Sequence, residues 1–416
     1  MYQKNSNRSA RPTTGRSGFK KPSFGGKKFF NGGVRKSHSR FGGGSRRGEK
    51  SIHPDCFIKK ADPLVKSAPY VPKNKFEDFK INSVLKTNII KKGYISPTPI
   101  QDVSIPLVLA GRDMVGVANT GTGKTAAFLI PLLDKIINNP QEKVLIIVPT
   151  RELALQINEE FWGFRGNLNF FSVCCVGGMG IGNQISSLRR AHNIVIGTPG
   201  RLKDLVDRKV INLSLFRTIV LDEADRMLDM GFVDDMRFIM SKMASNRQTL
   251  LFSATITSEI DRLIKEFLTN PENISVKTGD TARNVEQNII RVPRGADKVD
   301  HLHELLNKKE FSKVLIFGRT KHGVEKLSKD LIKRGFKAES IHGDKNQPKR
   351  QRALKNFRDN QSQILVATDV AARGLDIPNV THVINFDIPA NYEDYIHRIG
   401  RTGRADQTGV ALTFVN

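Results

Sequence analysis

Met114-Val115-Gly116-Val117-Ala118-Asn119-Thr120-Gly121-Thr122-Gly123-Lys124-Thr125-Ala126-Ala127-Phe128-Leu129 reads as a short apolar strand, a glycine-rich loop and the first turn of a helix. That order is what a phosphate-binding loop requires. Glycines let backbone N–H groups come close to phosphate oxygens. Lys124 can neutralise the β- and γ-phosphates of a nucleotide, and Thr125 can offer its hydroxyl to Mg2+. Ala118, Asn119, Thr120, Gly121, Thr122 and Gly123 form the rest of the cradle. The strict pattern G-x4-G-K-[ST] is missed at one position, because residue 118 is Ala.

The alternation continues along the chain. Residues 144–148 (VLIIV), 194–196, 218–221 (TIVL) and 249–252 (TLLF) are apolar or β-branched throughout. Continuous runs of this kind suit parallel strands covered on both faces. Helical patterns over 151–161 and 258–268 lie between them. A second series follows at 314–317 (VLIF), 337–341, 364–367 (ILVA) and 382–385 (HVIN), with a helical pattern over 321–333. Residues 277–288 are polar and read as a loop. The expectation is α/β, with two tandem domains built on parallel sheets. The expected boundaries are 73–278 for the first domain, 279–287 for the linker and 288–416 for the second.

The first domain also supplies acid groups. Asp222-Glu223-Ala224-Asp225 directly follows the apolar run at 218–221. A carboxylate at the C-terminal end of a parallel strand beside a phosphate loop can hold Mg2+, so Asp222 joins Thr125 as a candidate metal residue. Glu223 can orient or deprotonate an attacking water. Together the two motifs predict an enzyme that hydrolyses a nucleoside triphosphate.

Charge points to the other partner. The chain has 416 residues, 67 Lys plus Arg and 41 Asp plus Glu, a formal net charge of +26. Residues 1–50 hold fourteen Lys or Arg and one acid, Glu49, so half of that charge sits in the first fifty residues. They are rich in Gly, Ser and Asn, and residues 1–72 are expected to be a disordered basic tail and linker. A tail of nearly one sign is an electrostatic tether to a polyanion, giving affinity without sequence choice. Three cysteines make no disulfide framework. No run approaches the roughly 18 apolar residues of a membrane span, so no membrane partner is expected, and the protein is read as cytoplasmic. C-x-x-C and H-E-x-x-H are absent, which argues against structural zinc.

These residues resemble the DEAD-box RNA helicases of superfamily 2, over roughly residues 76 to 416 and with the motifs in family order. Residues 93–101 (GYISPTPIQ) are similar to the Q motif, with Phe76 upstream, 149–153 (PTREL) to motif Ia, 177–178 to the GG element and 198–201 (TPGR) to Ib. Residues 253–255 (SAT) are similar to motif III, 315–320 to IV, 347–350 (QPKR) to Q-x-x-R, 367–376 (ATDVAARGLD) to V and 397–404 (HRIGRTGR) to VI. The resemblance implies two RecA-like domains and RNA-dependent ATP hydrolysis in the cleft between them. It further implies local separation of short duplexes or remodelling of RNA–protein complexes.

By the same resemblance, Gln101 reads adenine, and its amide can donate to and accept from the base edge at once. Tyr94 stacks on the base, the alternative being core packing beside Pro97. Asp376 contacts ribose, and Arg401 and Arg404 reach the γ-phosphate as arginine fingers. Asp225, Ser253, Thr255 and His397 couple the sites. Thr150, Arg151, Gly178, Thr198 and Arg201 hold RNA from the first domain, and Gln347, Arg350 and Thr368 from the second. The RNA is single-stranded or a short duplex, recognised without regard to sequence, and the protein is expected to act as a monomer. Lys345 stands where relatives often carry an apolar residue, and the family usually continues past position 416 into a closing helix. Two other readings stay open from the residues alone, a DNA helicase and a non-catalytic RNA clamp. The intact D-E-A-D and Gln101 weigh against the first, and the complete catalytic set against the second.

Overall fold

A computed structural model describes residues 53–61, 70–119, 121–276, 284–372, 377–403 and 408–415. The first lobe contains β1 (Met114–Val117), β2 (Val144–Ile147), β3 (Ser172–Cys175), β4 (Ile194–Gly197), β5 (Thr218–Leu221), β6 (Gln248–Ser253) and β7 (Glu272–Ser275). They form one sheet in the order β3-β4-β2-β5-β6-β1-β7, with every neighbouring pair parallel. The second lobe contains β8 (Val285–Arg291), β9 (Val314–Phe317), β10 (Ala338–Ile341), β11 (Ile364–Ala367), β12 (His382–Asn385) and β13 (Gly409–Val415). Its sheet order is β10-β11-β9-β12-β13-β8, again wholly parallel.

Side chains alternate across each sheet with the period of two that a strand imposes. Val144 and Ile146 of β2 enter one apolar cluster, with Phe128 and Phe252. Leu145 and Ile147 enter another, with Val195 and Leu251. In the second lobe Val314 and Ile316 go one way and Leu315 and Phe317 the other. Both faces are dry, which is why these strands are continuous apolar runs.

Two boundaries differ from expectation. The second sheet begins at Val285, inside the span expected to be linker, because β8 pairs with β13 from Gly409↔Val285 to Val415↔Arg291. Residues Pro54–Phe57, also expected to be linker, form a 3-10 turn whose Phe57 is fully buried with Tyr395 of the second lobe. The basic tail lies outside the described residues. Among the described residues no helix is long and apolar enough to cross a membrane.

Candidate active site and nucleic-acid interface

The loop after β1 is tied to the end of β6, since the Ala118 N–H donates to the Ser253 carbonyl (3.0 Å). Lys124 is buried, and its Nζ donates back to the Ala118 carbonyl (2.8 Å). Thr122 Oγ1 donates to the Asn119 carbonyl (2.8 Å). Gly123 caps the helix Lys124–Asn138 at φ +90°, a left-handed conformation that favours glycine. A side chain there would also run into the Gln101 amide. Thr125 follows in the first turn, half-buried. Thr120 lies outside the described residues.

Gln101 sits in the helix Pro99–Leu109, almost wholly buried. Its Oε1 accepts from the Thr98 N–H (3.0 Å), and its Nε2 donates to the Gly123 carbonyl (3.1 Å). A primary amide has two donors and two lone pairs, so one of each remains for a base edge. Tyr94 does not join this group. Its ring packs edge-on against Phe76 (6.0 Å) and tilted against Phe164 (5.3 Å). Burial, with the Glu160 charge nearby, pushes its hydroxyl up to about 12. The expected base-stacking residue is partly buried and packs its ring against the edge of the core.

β5 lies beside β6, and β6 beside β1, so Asp222 emerges at the same sheet end as the loop. Desolvation pushes its carboxyl up to about 6, against the pull of Lys124. A buried anionic oxygen and the Thr125 hydroxyl are hard donors that fit Mg2+, whose charge would offset the burial of the carboxylate. Glu223 takes φ +52°, a conformation uncommon outside glycine and concentrated at functional sites. Its carboxylate is buried in an ion pair with Arg226. Asp225 Oδ2 accepts from the Ala254 N–H (2.9 Å), the Thr255 N–H (2.9 Å) and Thr255 Oγ1 (3.2 Å). Ser253 Oγ donates to the Thr255 carbonyl (2.7 Å). The expected coupling residues of the first lobe thus form one bonded unit.

The strands β3, β4 and β2 carry the other set at the same sheet end. Thr150 caps the helix Arg151–Arg165 by accepting from the Leu153 N–H (3.3 Å). The Arg151 guanidinium lies where a side chain at Gly178 would go. Arg201 donates to the Met179 carbonyl from both terminal nitrogens (3.2 and 3.3 Å). Thr198 precedes the helix Pro199–Asp207 and makes no capping bond with its side chain. The sheet end is therefore divided, the expected nucleotide and coupling residues following β1, β5 and β6 and the expected RNA residues following β3, β4 and β2.

In the second lobe Arg401 is buried, and its Nε donates to the His397 carbonyl (3.3 Å). His397 is half-buried on the helix Tyr392–Ile399. Arg404 and Asp376 lie outside the described residues. Thr368 is half-buried just after β11, and the Ala371 N–H donates to its carbonyl (3.0 Å). Lys345 approaches Glu325 (3.5 Å). Gln347 and Arg350, expected on RNA, are both buried and engage Glu152 of the first lobe. Gln347 Nε2 donates to Glu152 Oε1 (3.1 Å), and Arg350 pairs with Glu152 Oε2 (2.8 Å). They join the lobes here.

Sequence reasoning gave no role to Glu152, Asp369 or Arg398. Arg398 forms a two-pronged pair with Asp369 (2.5 and 2.7 Å) and donates to Asn385 Oδ1 (3.1 Å) and the Asp387 carbonyl (2.7 Å). All three stood inside quoted motifs, but a pairing across distant segments leaves no local pattern.

Two family descriptions fit the chain, DEAD/DEAH box helicase over residues 98–263 and helicase conserved C-terminal domain over residues 297–406. It is 47% identical over 342 residues to the protein named DEAD-box ATP-dependent RNA helicase CshA of Bacillus subtilis (strain 168), covering 82% of this chain and 69% of that one. The chain belongs to the DEAD-box helicases. Its fold matches the structure of S. cerevisiae Dbp5 bound to RNA and ADP BeF3 with a TM-score of 0.73 at 32% identity, over 82% of this chain and 89% of that one. Mss116p bound to ssRNA and AMP-PNP matches at 0.73 and 31% identity, over 83% and 76%. The DEAD-box match starts at residue 98, so the docked segment at 53–61 lies ahead of it.

Proposed function

We propose that this DEAD-box helicase hydrolyses ATP between its two lobes in an RNA-dependent way, and so separates short RNA duplexes or remodels RNA–protein complexes. The supporting observation is the convergence at the ends of β1, β5 and β6. Lys124 and Asp222 are buried there together, and Asp225 is bonded to the Ser253–Thr255 turn. Phosphoryl transfer asks a protein for position and charge more than for covalent chemistry. The remaining donor and acceptor of Gln101 read the adenine edge. Backbone N–H groups of residues 121–125 and the Lys124 ammonium hold the phosphates. Asp222 and Thr125 would hold Mg2+, which supplies charge neutralisation to the phosphate oxygens. Glu223, fixed by Arg226, orients the attacking water and takes its proton. Arg401, from the second lobe, stabilises charge on the γ-phosphate when the lobes are joined, with Arg404 as the second finger. Asp225, Ser253, Thr255 and His397 link that event to RNA.

RNA lies across Thr150, Arg151, Gly178, Thr198, Arg201 and Thr368. These offer hydroxyls, guanidinium groups and amides to phosphate and 2′-OH, without base readout. The protein works as a cytoplasmic monomer. The test is ATP hydrolysis with no nucleic acid, with single-stranded RNA and with matched DNA, for the wild type and Glu223→Gln. Stimulation by RNA alone is expected, with a loss of about 100-fold or more in the variant. Equal stimulation by DNA, or a variant at full rate, would sink the reading.

A further inference from the structure

We infer that Phe57 is a positioning residue for the helix Tyr392–Ile399 of the second lobe and for the turn after it that carries Arg401, and through them for ATP hydrolysis. The inference rests on the role of Arg401 proposed above. Phe57 lies ahead of both family matches. Its ring is fully buried, 4.7 Å from the Tyr395 ring, in a cluster with Val285, Ile399 and Ala411. Two residues on, Lys59 exchanges both backbone hydrogen bonds with Gln287 (3.0 and 2.7 Å). This adds an antiparallel rung to β8, the edge of the second sheet. The Gln287 side chain then accepts from Tyr395 Oη (3.1 Å). The segment is thus fixed by an apolar plug, by backbone bonds, and by a buried polar link from Gln287 back to the same tyrosine.

Tyr395 and Ile399 are four apart and share a face of the helix Tyr392–Ile399. Arg398 leaves it elsewhere, into Asp369 and Asn385, and Arg401 bonds back to His397. The helix is held by the Arg398 cluster and by Phe57. The six strands of the sheet pair without the segment, so it is added to a lobe whose ladder is already complete. Removing the ring leaves a cavity that close-packed surroundings fill only partly. The helix then gains freedom to shift, and a small displacement of a catalytic group costs rate.

The experiment uses the full chain as wild type, Phe57→Ala, Phe57→Leu, Lys59→Pro and Arg401→Ala, measured for RNA-stimulated ATP hydrolysis. Lys59→Pro deletes the N–H that bonds Gln287 and leaves Phe57 in place. Phe57→Ala should lower kcat about tenfold, with KM for ATP within about twofold, because base and phosphate loop are held in the first lobe. Phe57→Leu should recover most of the rate, and Lys59→Pro should fall between. An unchanged kcat in Phe57→Ala, or kcat and KM moving together, overturns the inference. If Phe57→Ala unfolds at the assay temperature, Lys59→Pro decides: a lower kcat at constant KM supports it, and a wild-type rate overturns it. Arg401→Ala separates the two readings. Full activity there removes the role of Arg401 itself, whereas its loss beside an active Phe57→Ala removes only the positioning role.

Discussion

Asp222 lies at the end of β5, where desolvation pushes its carboxyl from 3.8 up to about 6 while Lys124 pulls it down. A folded-state value above the unfolded one means that the fold favours the neutral form. The stability contribution is therefore present below about pH 4 and lost as pH rises through about 6. Function runs the other way, because only the carboxylate can hold a cation. We predict that kcat/KM for ATP falls as pH drops through about 6, and that raising Mg2+ moves this limb to lower pH, since binding competes with the proton. A limb that ignores Mg2+ concentration would assign it to another group. Gly123 makes a second prediction at this scale. With φ +90° and the Gln101 amide where a Cβ would stand, Gly123→Ala strains the loop and displaces Gln101 together. Nucleotide titration should show ATP affinity reduced by about tenfold or more, on the basis of about 1–3 kcal/mol of strain. Wild-type affinity would show that the loop accommodates a side chain.

The helix Pro99–Leu109 is held by more than its own turns. Buried Asp102 accepts from Tyr70 Oη (2.6 Å), the Lys73 N–H (2.7 Å), the Asn74 N–H (3.1 Å) and Asn74 Nδ2 (2.7 Å). Asp102→Ala removes the acceptor of two backbone donors, so a loss of about 1–3 kcal/mol is expected in denaturant unfolding. A midpoint equal to wild type would mean that water replaces the carboxylate without cost. The same scale shows what the sequence made legible. Central strands such as β2 and β5 are covered on both faces, and their apolar runs announce them. Edge strands β7 and β8 are not. Along β8 Val285 and Gln287 are buried and Glu286 and Asn288 exposed, and this polar alternation reads as loop. Phe57 carries no local sign that its pocket is built by Tyr395 and Val285. Tyr94 sits within the Q-motif residues in sequence and against Phe164 in space, which proximity along the chain does not reveal. The phosphate loop and the D-E-A-D residues were legible because their chemistry is local.

At the scale of the molecule, half the net charge lies in residues 1–50, outside the described residues. Their removal should weaken RNA binding and flatten its salt dependence by about 0.7 in log–log slope per lost phosphate contact. An unchanged slope would place the electrostatic affinity in the lobes. What joins the lobes is a different matter. Glu152 and Arg350 are buried against one another, with side chains 2% and 8% exposed, and desolvation pulls the Arg350 guanidinium below its ordinary value. Each sits in the first turn of a helix that leaves its own sheet, so the pair forms only when the two sheet ends meet. Its net worth is small, because burial of both charges offsets their attraction. Losing one partner is costly, at about 3–5 kcal/mol, because the other stays buried and unpaired. RNA affinity measured with a non-hydrolysable ATP analogue, against affinity without nucleotide, reads the joined state. Arg350→Ala should abolish most of the enhancement by the analogue, and Glu152→Gln with Arg350→Met should restore part of it. Single losses that simply add in the double variant would mean that the two residues act separately and that other contacts hold the lobes together.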